Sequence, residues 1–385
     1  MNEKPREHRA LGEEDEPLAH GGDWVAAERR FGRPKDGWLD LSTGINPHSY
    51  PVAGVDAAAW NRLPDTRAMT ALIAAAAAYY GTRDAHGIVA APGSQAAMQW
   101  LPRLRARSRV AVVGPTYGEH AHTWRTAGHE VVEVAAFEDA DGDVIVVVNP
   151  NNPDGRVIAP EALIARAERL AKYGGLLVVD EAFADAAPYA SVAAFAGMDG
   201  LAVLRSFGKF FGLAGARLGF VLAEASLAAA LRRALGPWAV AGPAMAVATH
   251  AFADEAWIAT TRAHLAIEMG RLRALLAEHG FAIVGGTNLF TLVETPDAAL
   301  WFAHLARHGI LVRAFAEFPR WLRFGLPGAA HWLRLAQALA AFSVAEASPQ
   351  ARHGRAGRRA ERRANGSAGR AGDAEARPST GPNIK

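Results

Sequence analysis

The chain has 385 residues, half of them hydrophobic and 21% charged, a composition ordinary for a globular protein and a length suited to about two domains. It contains no cysteine, which excludes disulfides, thiolate metal sites and a cysteine nucleophile. The formal charge is +2, with nine Arg or Lys against three acids in residues 351–385, so the rest of the chain is slightly acidic, and no nucleic-acid function is expected of it.

In chain order, residues 1–17 read as an acidic disordered leader and not as a secretory signal. Residues 18–40 form an arm with too little pattern to assign. No apolar run approaches a membrane span, and the alanine-rich Ala71–Tyr80, followed by Gly81, reads as a packed helix. A cytoplasmic enzyme is the simplest compartment reading. From Ile88 onward strands alternate with helices: strand Ile88–Ala91, helix Ser94–Leu104, strand Arg109–Val113, a helix through Ala127, then strands Val131–Val134 and Asp143–Val148. Helix Pro160–Lys172 follows, with strands Leu176–Val179, Leu201–Leu204 and Leu218–Leu222. Continuous Val, Ile and Leu runs suit strands buried on both faces, and the alternation predicts an α/β domain with a mostly parallel sheet over residues 41–235.

Beyond Ser226 the texture changes. Helical stretches cover Pro243–Gly280, followed by strand-like Phe281–Val284 and Leu289–Val293, helix Ala298–His308, strand-like Ile310–Arg313 and Trp321–Phe324, and helix Ala329–Phe342. These predict a smaller α+β domain over residues 236–344. Residues 345–385, rich in Arg, Ala, Gly and Ser without apolar periodicity, read as a disordered basic tail. There is no internal repeat.

Four motifs carry chemistry. Lys209 lies between small residues in Ser206-Phe207-Gly208-Lys209-Phe210-Phe211-Gly212-Leu213-Ala214-Gly215-Ala216-Arg217, with a hydroxyl before it and a guanidinium after it. Pyridoxal 5'-phosphate chemistry needs a lysine amine to form a Schiff base and needs Ser206 and Arg217 to hold the phosphate. An ordinary surface lysine is the plainer reading of one residue; the company it keeps outweighs it. Pro92-Gly93-Ser94-Gln95, between a strand and a helix start, can cradle a phosphate with backbone N–H groups. Asn149-Pro150-Asn151-Asn152-Pro153-Asp154-Gly155 directly follows a strand and offers an amide donor. Asp180, at the end of Leu176–Val179, would pair with a pyridine nitrogen.

In this order the motifs resemble the fold type I family of PLP-dependent enzymes, the aspartate aminotransferase fold, from about His20 to Phe342. The resemblance implies that Lys209 is the Schiff-base and catalytic lysine, that Asp180 binds the pyridine nitrogen, and that Asn152 donates to the phenolic oxygen. It implies that Tyr117 stacks on the ring and that Gly93, Ser94, Gln95, Ser206 and Arg217 hold the phosphate. Arg323 matches a residue that binds the substrate carboxylate, and Arg313 one that faces a substrate phosphate. The chain is similar to histidinol-phosphate aminotransferases but has Phe183 and Leu63 where those have tyrosines. His20-Gly21-Gly22, Leu39-Asp40-Leu41-Ser42-Thr43-Gly44-Ile45-Asn46-Pro47 and Gly236-Pro237-Trp238-Ala239-Val240 resemble the threonine-phosphate decarboxylases of cobalamin biosynthesis. His20 and Asn46 are the substrate contacts that this likeness suggests.

Two reactions stay open: decarboxylation of L-threonine O-3-phosphate, and transamination of a phosphorylated amino compound such as histidinol phosphate. The resemblance also implies a homodimer. No metal site is expected: His120 and His122 lie two apart and share no helix face, and His304 and His308 lack a carboxylate set. All four read as packing or solvated histidines.

Overall fold

The structure, a computed structural model, describes residues 21–343 except 53, 83 and 84. The acidic leader, His20 and the basic tail lie outside the described residues. Among the described residues, thirteen strands form three sheets. In the first half they are β1 (Leu39–Asp40), β2 (Ile88–Ala91), β3 (Arg109–Val113), β4 (Glu130–Val134), β5 (Val144–Val148), β6 (Leu176–Asp180), β7 (Leu201–Ser206) and β8 (Gly219–Ala223). In the second half they are β9 (Ala282–Gly286), β10 (Phe290–Glu294), β11 (Ile310–Leu311), β12 (Arg313–Ala314) and β13 (Trp321–Gly325).

Seven strands make a large sheet in the order β2-β8-β7-β6-β5-β3-β4. Only β8 runs against its neighbours; the pairs from β7 to β4 are parallel. Every residue of β5 and β6 is buried, as their apolar runs require of strands covered on both faces. At the edge, β4 (Glu-Val-Val-Glu-Val) keeps no fully buried residue. Because β2 opposes β8 and β8 opposes β7, β2 runs with the parallel set. The carboxyl ends of β2, β3, β5, β6 and β7 therefore open on one edge of the sheet, the edge where open α/β sheets bind ligands.

The smaller sheet is antiparallel, in the order β12-β13-β10-β9. The single strand expected over Ile310–Arg313 divides at Val312. Its first part pairs parallel with β1, and its second joins β13. Each half thus satisfies its backbone with a different partner, which no local pattern encodes. The β1–β11 pair ties the arm to the second half of the chain: Leu41 N donates to Leu311 O at 2.7 Å, and Gly325 N donates to Leu41 O at 2.7 Å. The expected helical stretch Pro243–Gly280 resolves into Gly242–Ala253 and Glu255–Glu278, with the Asp254 side chain capping the second at Trp257 N. Helix Trp24–Phe31, capped by Asp23, was too short to stand out in the sequence.

Candidate active site

Five strand ends and the arm converge on a cavity of about 240 Å³. Gly93, Ser94, Gln95, Tyr117, Asn152, Asp180, Ser206, Lys209, Arg217 and Arg323 all line it, so motifs spread over 230 residues meet in one place. Lys209 sits on the one-turn helix Phe207–Phe210 after β7. Phe207, Phe210 and Phe211 are fully buried, with Phe207 stacked on Phe211 and Phe210 edge-on to it. They anchor the turn and leave the lysine as its cavity-facing member. Gly208 is required there, since a Cβ would meet Ala214 Cα at 2.7 Å.

Burial pushes the Lys209 amine down to about 8, with help from the Arg323 and Arg217 charges, while Asp180 and Asp40 oppose the shift. A neutral amine is the nucleophilic form. In cofactor-free protein, the rate of covalent cofactor uptake is expected to rise about tenfold per pH unit below pH 8 and to level off above it. A rise that continues to the ordinary lysine value of 10.5 would contradict this environment. The folded amine releases its proton before the unfolded one, so between those two values this group adds stability to the cofactor-free fold as pH rises.

Asp180 ends β6, only 4% exposed. Its Oδ1 accepts from Ala182 N at 3.0 Å, and its Oδ2 lies 2.9 Å from His120 Nε2. His120 is itself buried, on the helix Glu119–Thr126. The plain reading of His120 as a packing residue is therefore corrected: it fixes the carboxylate. Its partner is 60 residues away, so no local signal marked it. Tyr117 stands beside this pair, edge-on to His120. Burial, with Glu119 and Asp180, pushes its phenol up to about 12, so it keeps its proton at neutral pH. Gln95 is clamped, donating to Glu119 Oε2 at 2.8 Å.

At the other side Arg217 adopts a left-handed backbone (φ 47°), which costs a side-chain-bearing residue roughly 1–2 kcal/mol. Its guanidinium passes over Gly93, where a Cβ would meet Nη2 at 2.8 Å. Gly219 lies equally tight under the helix start, where a Cβ would meet Ser94 N at 2.3 Å. Two glycines thus keep open a cradle of N–H, hydroxyl and guanidinium donors.

Arg323, on β13, is 7% exposed. One amine of its guanidinium donates to Asn152 Oδ1 and the other to Ser42 O at 2.7 Å, while Nε has no partner among the described residues. Asn152 thus has its oxygen engaged and its NH₂ left for the cavity. Burial and the neighbouring Arg313 charge push the Arg323 guanidinium down to about 10, and Asp40 partly offsets them. Arg313 pairs with Arg323 across β12 and β13, and its guanidinium lies 5.4 Å from the Phe315 ring. It is not among the cavity-lining residues.

The Ser-Thr-Gly-Ile-Asn-Pro segment reaches the cavity in a different register from the one expected. Ser42 and Thr43 line it, with Gly21. Asn46 does not: its Nδ2 donates to Phe210 O at 2.8 Å and its backbone N to Lys209 O at 3.0 Å. Its side chain holds the lysine turn from behind. Phe183 lies 5.6 Å from Lys209 Nζ, and Leu63 is two-thirds exposed.

A cavity at parallel strand ends, with a depressed lysine, a buried carboxylate opposite and a donor cradle beside it, defines the class of enzyme that works through a lysine-bound cofactor. The sequence profile of class I and II aminotransferases matches residues 37–339. The chain belongs to that family. It is 48% identical over 330 residues to the threonine-phosphate decarboxylase of Pseudomonas aeruginosa, covering 84% of this chain and 98% of the relative. It is 47% identical over 335 residues to that of a Sinorhizobium species, with the same coverage. The crystal structure of histidinol-phosphate aminotransferase from Sinorhizobium meliloti in complex with pyridoxal-5'-phosphate shares the fold, with a TM-score of 0.70, 23% identity, and coverage of 82% of this chain and 93% of that one.

Proposed function

We propose that this chain is a PLP-dependent decarboxylase converting L-threonine O-3-phosphate to (R)-1-amino-2-propanol phosphate and CO₂ in cobalamin biosynthesis. The carrying observation is near-half identity to two threonine-phosphate decarboxylases over 98% of their lengths. The cavity fits pyridoxal phosphate by its donor chemistry. The Gly93 and Gly219 cradle, which Cβ atoms would fill, suits a phosphate beside Ser94, Gln95, Ser206 and Arg217. Asp180, fixed by His120, suits a protonated ring nitrogen. Asn152 suits a phenolic oxygen. When bound, the cofactor supplies an electron-withdrawing ring that accepts the pair released at Cα.

The remaining work belongs to the protein. Arg323 would hold the substrate carboxylate and so fix which bond at Cα is presented for cleavage. Lys209, at the cavity wall, would in its ammonium form return a proton to Cα after CO₂ leaves. The carboxyl carbon departs without its bonding pair, and the proton replaces it at Cα. Ser42 and Thr43, just past the arm, line the cavity wall. Replacing Arg323 by Gln is expected to lower kcat/KM about 100-fold, the cost of one charge-assisted contact, mostly through KM. An unchanged KM would assign carboxylate binding elsewhere.

The test is a product assay on cofactor-loaded enzyme given L-threonine O-3-phosphate without any keto acid. Many turnovers of CO₂ with aminopropanol phosphate are expected. One equivalent of keto product per subunit, without CO₂, would make the enzyme an aminotransferase instead.

A homodimer follows from the same reading. Exposed Val52 and Trp60 flank an apolar groove of about 820 Å³ that is also lined by Leu213, between Lys209 and Arg217. Burying that groove against a second copy would stiffen the lysine loop. Sedimentation equilibrium is expected to give twice the chain mass, and Trp60→Glu to give monomers with reduced turnover. A wild-type monomer with full activity would exclude this. Cytoplasmic location is part of the proposal; among the described residues no helix is long and apolar enough to cross a membrane.

A further inference from the structure

Away from the cavity, His48, His264 and Glu268 bring one ligand atom each to within 4.8 Å of one another. His264 and Glu268 are one turn apart on helix Glu255–Glu278, so they share a face. His48 reaches them from the loop after β1, across 220 residues of sequence. Its Nε2 lies 2.8 Å from Glu268 Oε2, while His264 Nε2 lies 3.6 Å from Glu268 Oε1. The two imidazoles stack with centroids 4.7 Å apart. Glu268 is 7% exposed, and among the described residues its ion-pair partners are these two histidines, with no Lys or Arg.

The geometry points to a site for one divalent transition-metal ion, with Zn²⁺ the best match, held by His48, His264 and Glu268. Two imidazoles and a carboxylate are borderline donors that suit Zn²⁺; Mg²⁺ and Ca²⁺ require oxygen-rich sets. Tetrahedral Zn²⁺ with bonds near 2.0–2.2 Å separates its ligands by about 3.3–3.6 Å. His48 Nε2 lies 2.8 Å from Glu268 Oε2 and His264 Nε2 3.6 Å from Oε1, and with one atom from each residue within 4.8 Å of the others, side-chain rotation brings the three to that spacing around one ion. The half-exposed His264 leaves the fourth position to water.

The ion would be structural. His48 lies two residues past Asn46, which binds the backbone of Lys209 and Phe210. His48 N also donates to Asn46 Oδ1 at 2.8 Å. Coordination would therefore clamp this loop to the long helix and stiffen the backbone behind the lysine turn without touching the cavity.

The experiment uses the full-length, cofactor-loaded protein, stripped with a chelator and titrated with ZnCl₂ against a chromophoric competitor. The expected result is one equivalent bound with Kd below about 10 µM, weaker than a closed four-ligand site because the chain supplies three ligands. Binding should weaken at least about tenfold in His264→Ala and in Glu268→Gln, with the cofactor absorbance of both unchanged. Zn²⁺ should raise the thermal midpoint of the parent protein and not of the variants. Tight binding retained in both variants would overturn the proposal by assigning the ion elsewhere. Absence of binding to the parent protein would overturn it outright.

Discussion

Lys209→Ala is expected to lower decarboxylation by at least about a thousandfold, because it removes both the covalent anchor and the proton carrier. The pieces around the lysine are built to make this amine reactive. Three buried phenylalanines hold its turn, and burial with two nearby guanidiniums brings the amine down to about 8. Among the described cavity residues, neither Tyr117 nor Arg323 duplicates it. Tyr117, pushed up to about 12, releases its proton too reluctantly. Arg323, near 10, is engaged with Asn152 and Ser42. The check is CO₂ release under single-turnover conditions, together with loss of cofactor retention on gel filtration. Alanine leaves the fold intact, since the turn rests on its aromatic neighbours. Activity within tenfold of the parent would mean that another group moves the proton, and the functional reading would have to be rebuilt around it.

Arg205→Met is expected to destabilise the protein by about 3–5 kcal/mol, because it strips the partner from two buried carboxylates. Arg205 lies on β7 and pairs with both Glu181 and Asp185, all three under 5% exposed. Its guanidinium also stacks on Tyr80 at 4.5 Å. Glu181 takes further donors from Ser191 Oγ and Val192 N at 2.5 and 2.6 Å. Burial already pushes the Glu181 carboxyl up, with Arg205 holding it down. Without the arginine, Glu181 takes up a proton and recovers part of the loss. Thermal denaturation should show a midpoint lower by on the order of 10 °C. The double variant Arg205→Met with Glu181→Gln should lose less than Arg205→Met alone, because one buried charge is then gone. A midpoint within about 2 °C of the parent would mean that the triad contributes little to this fold. Glu181 follows Asp180 directly, so the loss should reach the active site as weaker cofactor retention.

Much of this machinery was legible in the chain. The uninterrupted apolar runs of β5, β6 and β7 force burial on both faces, and polar residues directly after such runs must sit at strand ends. Asp180 and Ser206 end such runs, whereas Lys209 stood out by its small-residue motif with Ser206 and Arg217, and Asn152 by the Asn-Pro string after β5 and the family resemblance. Residues whose work depends on a distant partner did not stand out. His120 looked like any helical histidine until Asp180 came within 2.9 Å of it. Asn46 looked like a substrate contact because it stands in a polar segment, yet its side chain bonds a carbonyl 164 residues away. Ser42 and Thr43, in the same segment, take the cavity positions instead.

By itself, then, the sequence determined the α/β alternation and the order of the motifs along it, and it proposed Lys209 as the reactive lysine. These depend on local periodicity and on which residue types can do the chemistry. The tertiary structure decided which face of each loop meets the cavity, how β11 and β12 divide one apolar run between two sheets, and how His48 meets His264 and Glu268 from 220 residues away in the chain. Those outcomes rest on backbone groups finding hydrogen-bond partners far away in the chain, and on charges that only folding brings within reach of one another.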